Sequence, residues 1–245
     1  MGGSVAYQQA PLASRPVTSV TAEEGEKAMA LLDQVIAAKG GLEKVRGLKT
    51  ILVKQALTTQ TPAGPASFET TNYIQYPDRL RIETQVPYGV NIQGFDGTAL
   101  WVKDQRGVHE QPDAVGRQTR LALRRDIVSL LVAAKDGKLT PRILPDVKDP
   151  AGRIDHILEL SAPDLNPIVL YIDPQSSLIN KLTFVDEAPS RPLVEERFSD
   201  YRGVDGIQIA HQATRKIGAQ SVERRVSDVK INTAFDPSMF KRPAS

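Results

Sequence analysis

Arg79-Leu80-Arg81-Ile82-Glu83 alternates charged and aliphatic side chains residue by residue. On a helix these five positions would scatter around the axis. On a strand they sort cleanly, with Leu80 and Ile82 to one face and the charges to the other. A sheet with one dry and one wet face is an antiparallel habit, because parallel sheets are covered on both sides. Turn chemistry bounds the stretch on each side, Pro77-Asp78 before it and Pro87-Tyr88-Gly89 after it.

The same pattern extends outward in both directions. Strands are expected over 49–59, 66–76, 79–86, 89–95, 98–104 and 107–111, broken at Thr61-Pro62-Ala63-Gly64-Pro65 and Asp96-Gly97 among other turns. After an interruption they resume over 153–161, 167–173, 178–186, 191–202, 206–217 and 220–232. Hairpin signals there are Asp173-Pro174-Gln175-Ser176, Gly203-Val204-Asp205-Gly206 and Gly218-Ala219.

Two stretches read as helices. Thr21-Ala22-Glu23-Glu24 is a capping box, followed at helical spacing by Ala28, Leu31, Leu32, Val35 and Ile36 and stopped by Gly40-Gly41. Leu42 to Arg46 adds a turn. The second helix is expected over 113–136, with Asp113 as its cap and Asp136-Gly137 as its end. Its first half carries Arg117, Arg120, Arg124 and Arg125. Its second half, from Ile127 to Ala134, is apolar nearly all round and must be covered on more than one side. Leu139 to Gly152, with its prolines, reads as a loop. Residues 1–20 read as a disordered leader or linker, leaving 21–245 as one domain with Phe240 as an anchor in an irregular tail.

Composition narrows the function. The 245 residues are 40% hydrophobic and 24% charged, which suits a globular chain with a sizeable core. A net charge of +2 lacks the clustered basic excess of a dedicated nucleic-acid binder. There is no cysteine, so disulfides and thiolate metal sites are excluded. No apolar run is long enough to form a transmembrane segment, and Met1-Gly2-Gly3-Ser4 does not begin a signal peptide.

Catalytic signals are missing. His109, His156 and His211 stand far apart, and His109-Glu110 has no second histidine at helical spacing, so no metal site is expected. His156 and His211 read as half-buried strand residues. Neither a Gly-x-Ser-x-Gly elbow nor a phosphate-cradling glycine loop occurs, so no cofactor is expected. Glu195-Glu196 and Asp186-Glu187 are adjacent pairs, whose side chains on a strand point to opposite faces. A non-enzymatic role follows.

Several segments in order resemble the LolA/LolB-like lipoprotein-carrier family of the bacterial outer membrane. They are Val35 to Val45 with Leu48-Lys49-Thr50, Tyr76-Pro77-Asp78-Arg79-Leu80-Arg81, and Gly94-Phe95-Asp96-Gly97 with Trp101. Later come Tyr171-Ile172-Asp173-Pro174 with Ile179 and Lys181, then Phe198-Ser199-Asp200-Tyr201-Arg202 with Asp205-Gly206-Ile207. The resemblance covers about Thr21 to Pro243. It implies a mainly β (α+β) fold, a half-closed antiparallel β-barrel of about eleven strands with helices on the concave side. It also implies an apolar cavity for the acyl chains of a lipid or acylated protein, and a place in the periplasm or cell envelope. Similar domains occur fused to M16-type zinc peptidases, so the alternative is an accessory interaction domain of such a peptidase, without lipid.

Strand parity then assigns Leu80, Ile82, Ile92, Trp101, Leu158, Leu170, Leu182, Phe184 and Phe198 to the concave side. Ile127, Leu130 and Leu131 would face them from helix 113–136, a lid with the following loop as its flexible exit. Arg117, Arg120 and Arg124 are candidates for a lipid headgroup, or else a solvated face whose stems cover apolar surface. Trp101 suits a core position as well as a cavity wall.

Overall fold

The structure, a computed structural model, describes residues 21–149, 152–188 and 190–243. The expected leader, residues 1–20, lies outside the described residues. Two helices open the fold, α1 (Ala22–Lys39) and α2 (Leu42–Gly47). Six strands follow: β1 (Thr50–Thr61), β2 (Gly64–Gln75), β3 (Arg79–Val86), β4 (Gly89–Phe95), β5 (Leu100–Asp104) and β6 (Gly107–Glu110). Helices α3 (Asp113–Arg124) and α4 (Ile127–Lys135) interrupt them. Seven more strands complete the series: β7 (Thr140–Lys148), β8 (Ile154–Ala162), β9 (Leu165–Ile172), β10 (Ile179–Val185), β11 (Leu193–Val204), β12 (Ile207–Ile217) and β13 (Gln220–Ile231). A 3₁₀ turn, Pro237–Phe240, is the last element among the described residues.

Among the described residues all thirteen strands form one antiparallel sheet, in the order β6-β5-β4-β3-β2-β1-β13-β12-β11-β10-β9-β8-β7. Two meanders are thus joined by the pairing of β1 with β13, from Ile51↔Ile231 to Thr59↔Val222. The edges β6 and β7 do not meet, so the barrel stays open, as expected.

The strand beyond the expected set is β7. Its prolines, Pro141 and Pro145, argue for a loop by composition. An edge strand leaves one side of its backbone unpaired, so a missing N–H costs nothing there. The lid's flexible exit is therefore a strand. The single helix 113–136 is two helices. Asp126 breaks it by accepting from Val128 N at 3.0 Å and so capping α4. Asp113 does not cap α3; the cap is Pro112.

Register places the core. Leu158, Leu170 and Leu182 stand side by side across β8–β10, and Leu160, Ile168, Phe184 and Val194 form the next row across β8–β11. Helix α1 packs its Ala28–Leu32–Val35–Ile36 face on this half, against β7, β8 and β12. Leu130 and Leu131 of α4 are wholly enclosed in the same core, so this helix is no loosely seated lid. On the other half, Ile51, Ile74, Leu80, Phe95 and Leu100 form a row under α3, closed by Leu123.

Two parity assignments are corrected. Trp101 pairs with Gly94, which pairs with Arg81, so Trp101 lies on the face opposite Leu80. Ile92 pairs with Glu83 and shares that outer face. The turn chemistry at Asp96-Gly97 gives no register, and one residue of offset inverts a strand. The outer face is not fully wet here, because the C-terminal segment covers it. Trp101 Nε1 donates to the Phe240 carbonyl at 2.8 Å, Arg81 donates to the Met239 carbonyl at 2.9 Å, and Tyr73 meets Phe235 edge-on. Phe240 is fully buried and is the anchor expected.

Gly94 is the seat of that arrangement, since a Cβ there would stand 2.3 Å from the Trp101 ring. Gly94→Ala should lower stability by about 2 kcal/mol through overpacking. Because Trp101 is the single tryptophan, urea denaturation and the shift of its emission read the effect together; unchanged values of both would refute the close packing.

Candidate functional site

The corner between α3 and α4 organises the interior. Asp126 accepts from the Tyr76 hydroxyl at 2.9 Å as well as from the α4 backbone. Burial, reinforced by that carboxylate, pushes the Tyr76 hydroxyl well above the ordinary phenol range and keeps it a donor. Arg125, next to it, pairs with the Glu187 carboxylate and lies 4.2 Å over the Phe184 ring. The corner is thus tied to both meanders, by Tyr76 after β2 and by Phe184 and Glu187 at the end of β10.

A cavity lies on each side of this corner. The outer one, open to solvent, offers about 370 Å³ between α2, α4 and the β2–β3 turn. Its walls are mostly apolar: Val45, Leu48, Tyr76, Pro77, Val128, Val132, Ala133, Leu139 and Leu165. Four cations also line it, Arg46, Lys49, Arg124 and Lys138. Arg46 and Lys138 share Asp136, and Arg124 is held doubly by Asp164 at 2.9 and 3.0 Å.

The inner cavity, partly open, offers about 150 Å³ against the helix-covered face of the sheet. Ile51, Val53, Ile74, Leu182, Phe198 and Val226 supply apolar wall, while Lys39, Gln55, Asn72, Glu196, Tyr201 and Arg224 supply polar wall. Gln55 Oε1, Asn72 Oδ1 and Arg224 Nε are buried without a hydrogen-bond partner. Tyr76 and Val128 line both cavities and form the partition between them.

Lys39 is delivered to the inner cavity by the end of α1. Gly40 there has φ of 133°, and a Cβ on it would stand 2.3 Å from the Gly206 carbonyl oxygen. Only glycine lets the helix end this close to the β11–β12 turn. Lys39 is 7% exposed, and its ammonium donates to the Gln208 carbonyl. Burial pulls its pKa down to about 8, opposed by Asp126 and reinforced by Arg224. Burial likewise holds the Tyr201 hydroxyl in its neutral form, donating to the Ile179 carbonyl at 2.6 Å.

The expected site residues divide among these places. Leu182, Phe198 and Ile127 line the inner cavity. Leu80 joins the small cluster under α3, and Ile82 lies in the next row on the same face. Leu158, Leu170, Phe184, Leu130 and Leu131 are core residues packed by other side chains and line neither cavity. Ile92 and Trp101 are on the outer face. Of the arginines, Arg124 lines the outer cavity, Arg120 donates to the Gly97 carbonyl at 2.8 Å, and Arg117 is exposed. The outer-cavity residues of α2 and the α4–β7 turn carry no period and escape pattern reading. Gln55 and Arg224 do carry a signal, since each interrupts an aliphatic parity, Ile51-Val53-Gln55 and Val222-Arg224-Val226.

The histidines stay apart: His156 meets Asp146, His109 lies 3.3 Å from Asp104, and His211 bonds the Ile209 carbonyl. Glu195 and Glu196 face opposite sides, Glu195 toward Arg197 and Glu196 toward Arg215. Among the described residues no three His, Asp or Glu side chains converge as metal ligands, and no helix is long and apolar enough to cross a membrane.

No protein-family model matches the sequence, and no curated protein matches it as a relative. The fold does match solved structures. A LolA-superfamily protein from Nitrosomonas europaea aligns with TM-score 0.59 at 14% identity, covering 87% of this chain and 97% of its own. A putative outer-membrane lipoprotein-sorting protein domain from Vibrio parahaemolyticus aligns with TM-score 0.55 at 14% identity, covering 88% and 97%. A DUF1329-family protein from Desulfovibrio piger aligns with TM-score 0.59 at 10% identity, covering 87% and 97%.

The buried lysine makes a pH prediction. In the unfolded chain its pKa is the ordinary 10.5, and in the fold it is about 8. Below the lower value both states are protonated and the fold carries the whole cost of burying the charge; above the higher value neither is charged. Stability relative to Lys39→Met should therefore rise across that window, by on the order of 3 kcal/mol. Urea titrations of both proteins at neutral and at strongly alkaline pH measure it, and a pH-independent difference would contradict the assignment.

Proposed function

We propose that this protein binds the acyl chain of a lipid or lipoprotein in its outer cavity, as a non-enzymatic carrier or sensor of the bacterial envelope. The observation that carries this is the cavity itself, about 370 Å³ of largely apolar space beneath α4 with four cations lining it. That volume is within the range of small-molecule sites. Each methylene buried contributes about 0.8 kcal/mol, so a chain of moderate length offsets the cost of ordering it. The lipoprotein-sorting description of the Vibrio parahaemolyticus domain, which shares the fold, agrees with this role.

A protein-interaction role, as in an accessory domain of an envelope peptidase, is second. What favours it is the free edge strand β7, which exposes Ile143 and Val147 beside Ile154 of β8.

Native mass spectrometry of the purified protein should find co-purified lipid. Ala133 lines the outer cavity, so Ala133→Trp should fill it. Acyl-chain affinity should fall at least about tenfold, the loss of two or so buried methylenes, while the melting temperature moves little. Undiminished binding by the variant would move the acyl site elsewhere. The absence of any acyl binding by the wild type would favour the interaction role.

A further inference from the structure

We propose that the inner cavity receives the head of the ligand, a single carboxylate bound between Arg224 and Lys39, with the acyl tail running past Tyr76 and Val128 into the outer cavity. The ligand class is then a long-chain carboxylic acid. The inference rests on the outer cavity being an acyl site and adds what its occupant carries at the other end.

Arg224 is the first ground. It stands on β13 opposite Leu57 of β1 and lines the cavity. Among the described residues its guanidinium has neither an acceptor nor an ion-pair partner, and its Nε is sealed from solvent. A guanidinium nitrogen sealed without an acceptor is costly, and an anion beside it lowers that cost. The ammonium of Lys39 lines the same space, donating to the Gln208 carbonyl and lying 5.8 Å over the Tyr201 ring, with no carboxylate bonded to it among the described residues. The two nearby carboxylates are engaged: Asp126 by Tyr76 and the α4 backbone, Glu196 by Arg215 at 3.8 Å.

Charge decides how many negative charges fit. The wall and its direct ion-pair partners comprise Lys39, Arg125, Arg215 and Arg224 against Asp126, Glu187 and Glu196, which leaves one positive charge. One carboxylate neutralises it, whereas a dianionic phosphate overshoots. Size agrees. About 150 Å³ has room for a carboxylate and its first carbons.

The amides complete the site. Gln55 is 4% exposed and Asn72 is beside it on β2, and each has an amide oxygen with no donor. An amide presents NH₂ in place of oxygen after a half-turn about its last bond. Both side chains can thus donate to the carboxylate lone pairs that the two cations leave free. Planar carboxylate also matches the fork of a guanidinium. Tyr76 and Val128 line both cavities, so on this proposal the chain passes between the two spaces at their shared wall.

The test is isothermal titration of the full chain with dodecanoate, methyl dodecanoate and inorganic phosphate, each below any micellar concentration. Wild type should bind dodecanoate at least about tenfold tighter than the ester, the scale of one charge-assisted hydrogen bond. Arg224→Met should bring the two within about twofold by weakening the acid alone, and Arg224→Lys should keep part of the preference. The Arg224→Met protein should melt no lower than wild type, because an unpartnered charge has been removed; a marked fall would assign Arg224 a structural role and overturn the proposal. Equal binding of acid and ester by wild type overturns the inner-cavity assignment while leaving the acyl site intact. No binding of either overturns both. Phosphate binding as tightly as dodecanoate, indifferent to the chain, also overturns it.

Discussion

The pairing of β1 with β13 holds the architecture together. Each meander alone would present a bare edge and half of an apolar face. Zipped along Ile51↔Ile231 to Thr59↔Val222, the two become one sheet whose remaining edges, β6 and β7, lie at opposite ends of it. That seam also fixes where the helices can go. Helices α1 and α2 directly precede β1, so they enter at the middle of the sheet, and α1 lies back over the β7–β12 half. Helices α3 and α4 join β6 to β7 and must therefore span the whole opening. The helix-covered inner face follows from the order of the chain, because an open sheet with one apolar face has no other stable solution.

Coverage of that face is uneven, and the unevenness makes the cavities. Helix α1 brings a full aliphatic stripe and leaves no space over Leu158, Leu170 and Leu160. The α3–α4 corner brings Arg125 and Asp126 instead, held by Glu187, Phe184 and Tyr76. A corner anchored by directional bonds stands where those bonds put it and does not settle into every gap as an apolar helix face would. Space is left on both sides, apolar toward α2 and polar toward the sheet. Asp126 thus serves two ends at once, starting α4 and holding the partition.

Much of this was legible in the sequence. The alternation at Arg79–Glu83, the proline and glycine breaks, and the capping box at Thr21 locate most strands and the first helix, since each is a local pattern with a local cause. What was not legible depends on partners distant in sequence. Edge position, which excuses the prolines of β7, is a property of the whole sheet. The break at Asp126 needs Tyr76, fifty residues earlier. The outward turn of Trp101 needs Gly94 to make room and Phe240 to accept its N–H. The sequence reads the candidate site as an aliphatic face, and Leu130, Leu131, Leu158, Leu170 and Phe184 of that face are packed core. The cavities lie where the aliphatic pattern fails, at Gln55 and Arg224, and where there is no pattern at all, in α2 and the α4–β7 turn.

The polar inner cavity is costly as a piece of core. Aliphatic side chains at Gln55, Asn72 and Arg224 would continue the rows of their strands, strip away the unpartnered atoms and close the space, all in the direction of greater stability. A cavity that detracts from the fold in this way gains by being filled, and the two cavities offer different things to an occupant. The outer one rewards apolar area with little regard to what carries it, since burial energy is non-directional. The inner one, as proposed, rewards a group that meets a guanidinium, an ammonium and two amides, and leaves the guanidinium unsatisfied when a neutral head arrives. Discrimination by buried polar groups is far steeper than discrimination by apolar fit, because a wrong ligand leaves them unpaired. On the proposed assignment, affinity would come from beneath α4 and selectivity from the face of the sheet, with Tyr76 and Val128 dividing the two.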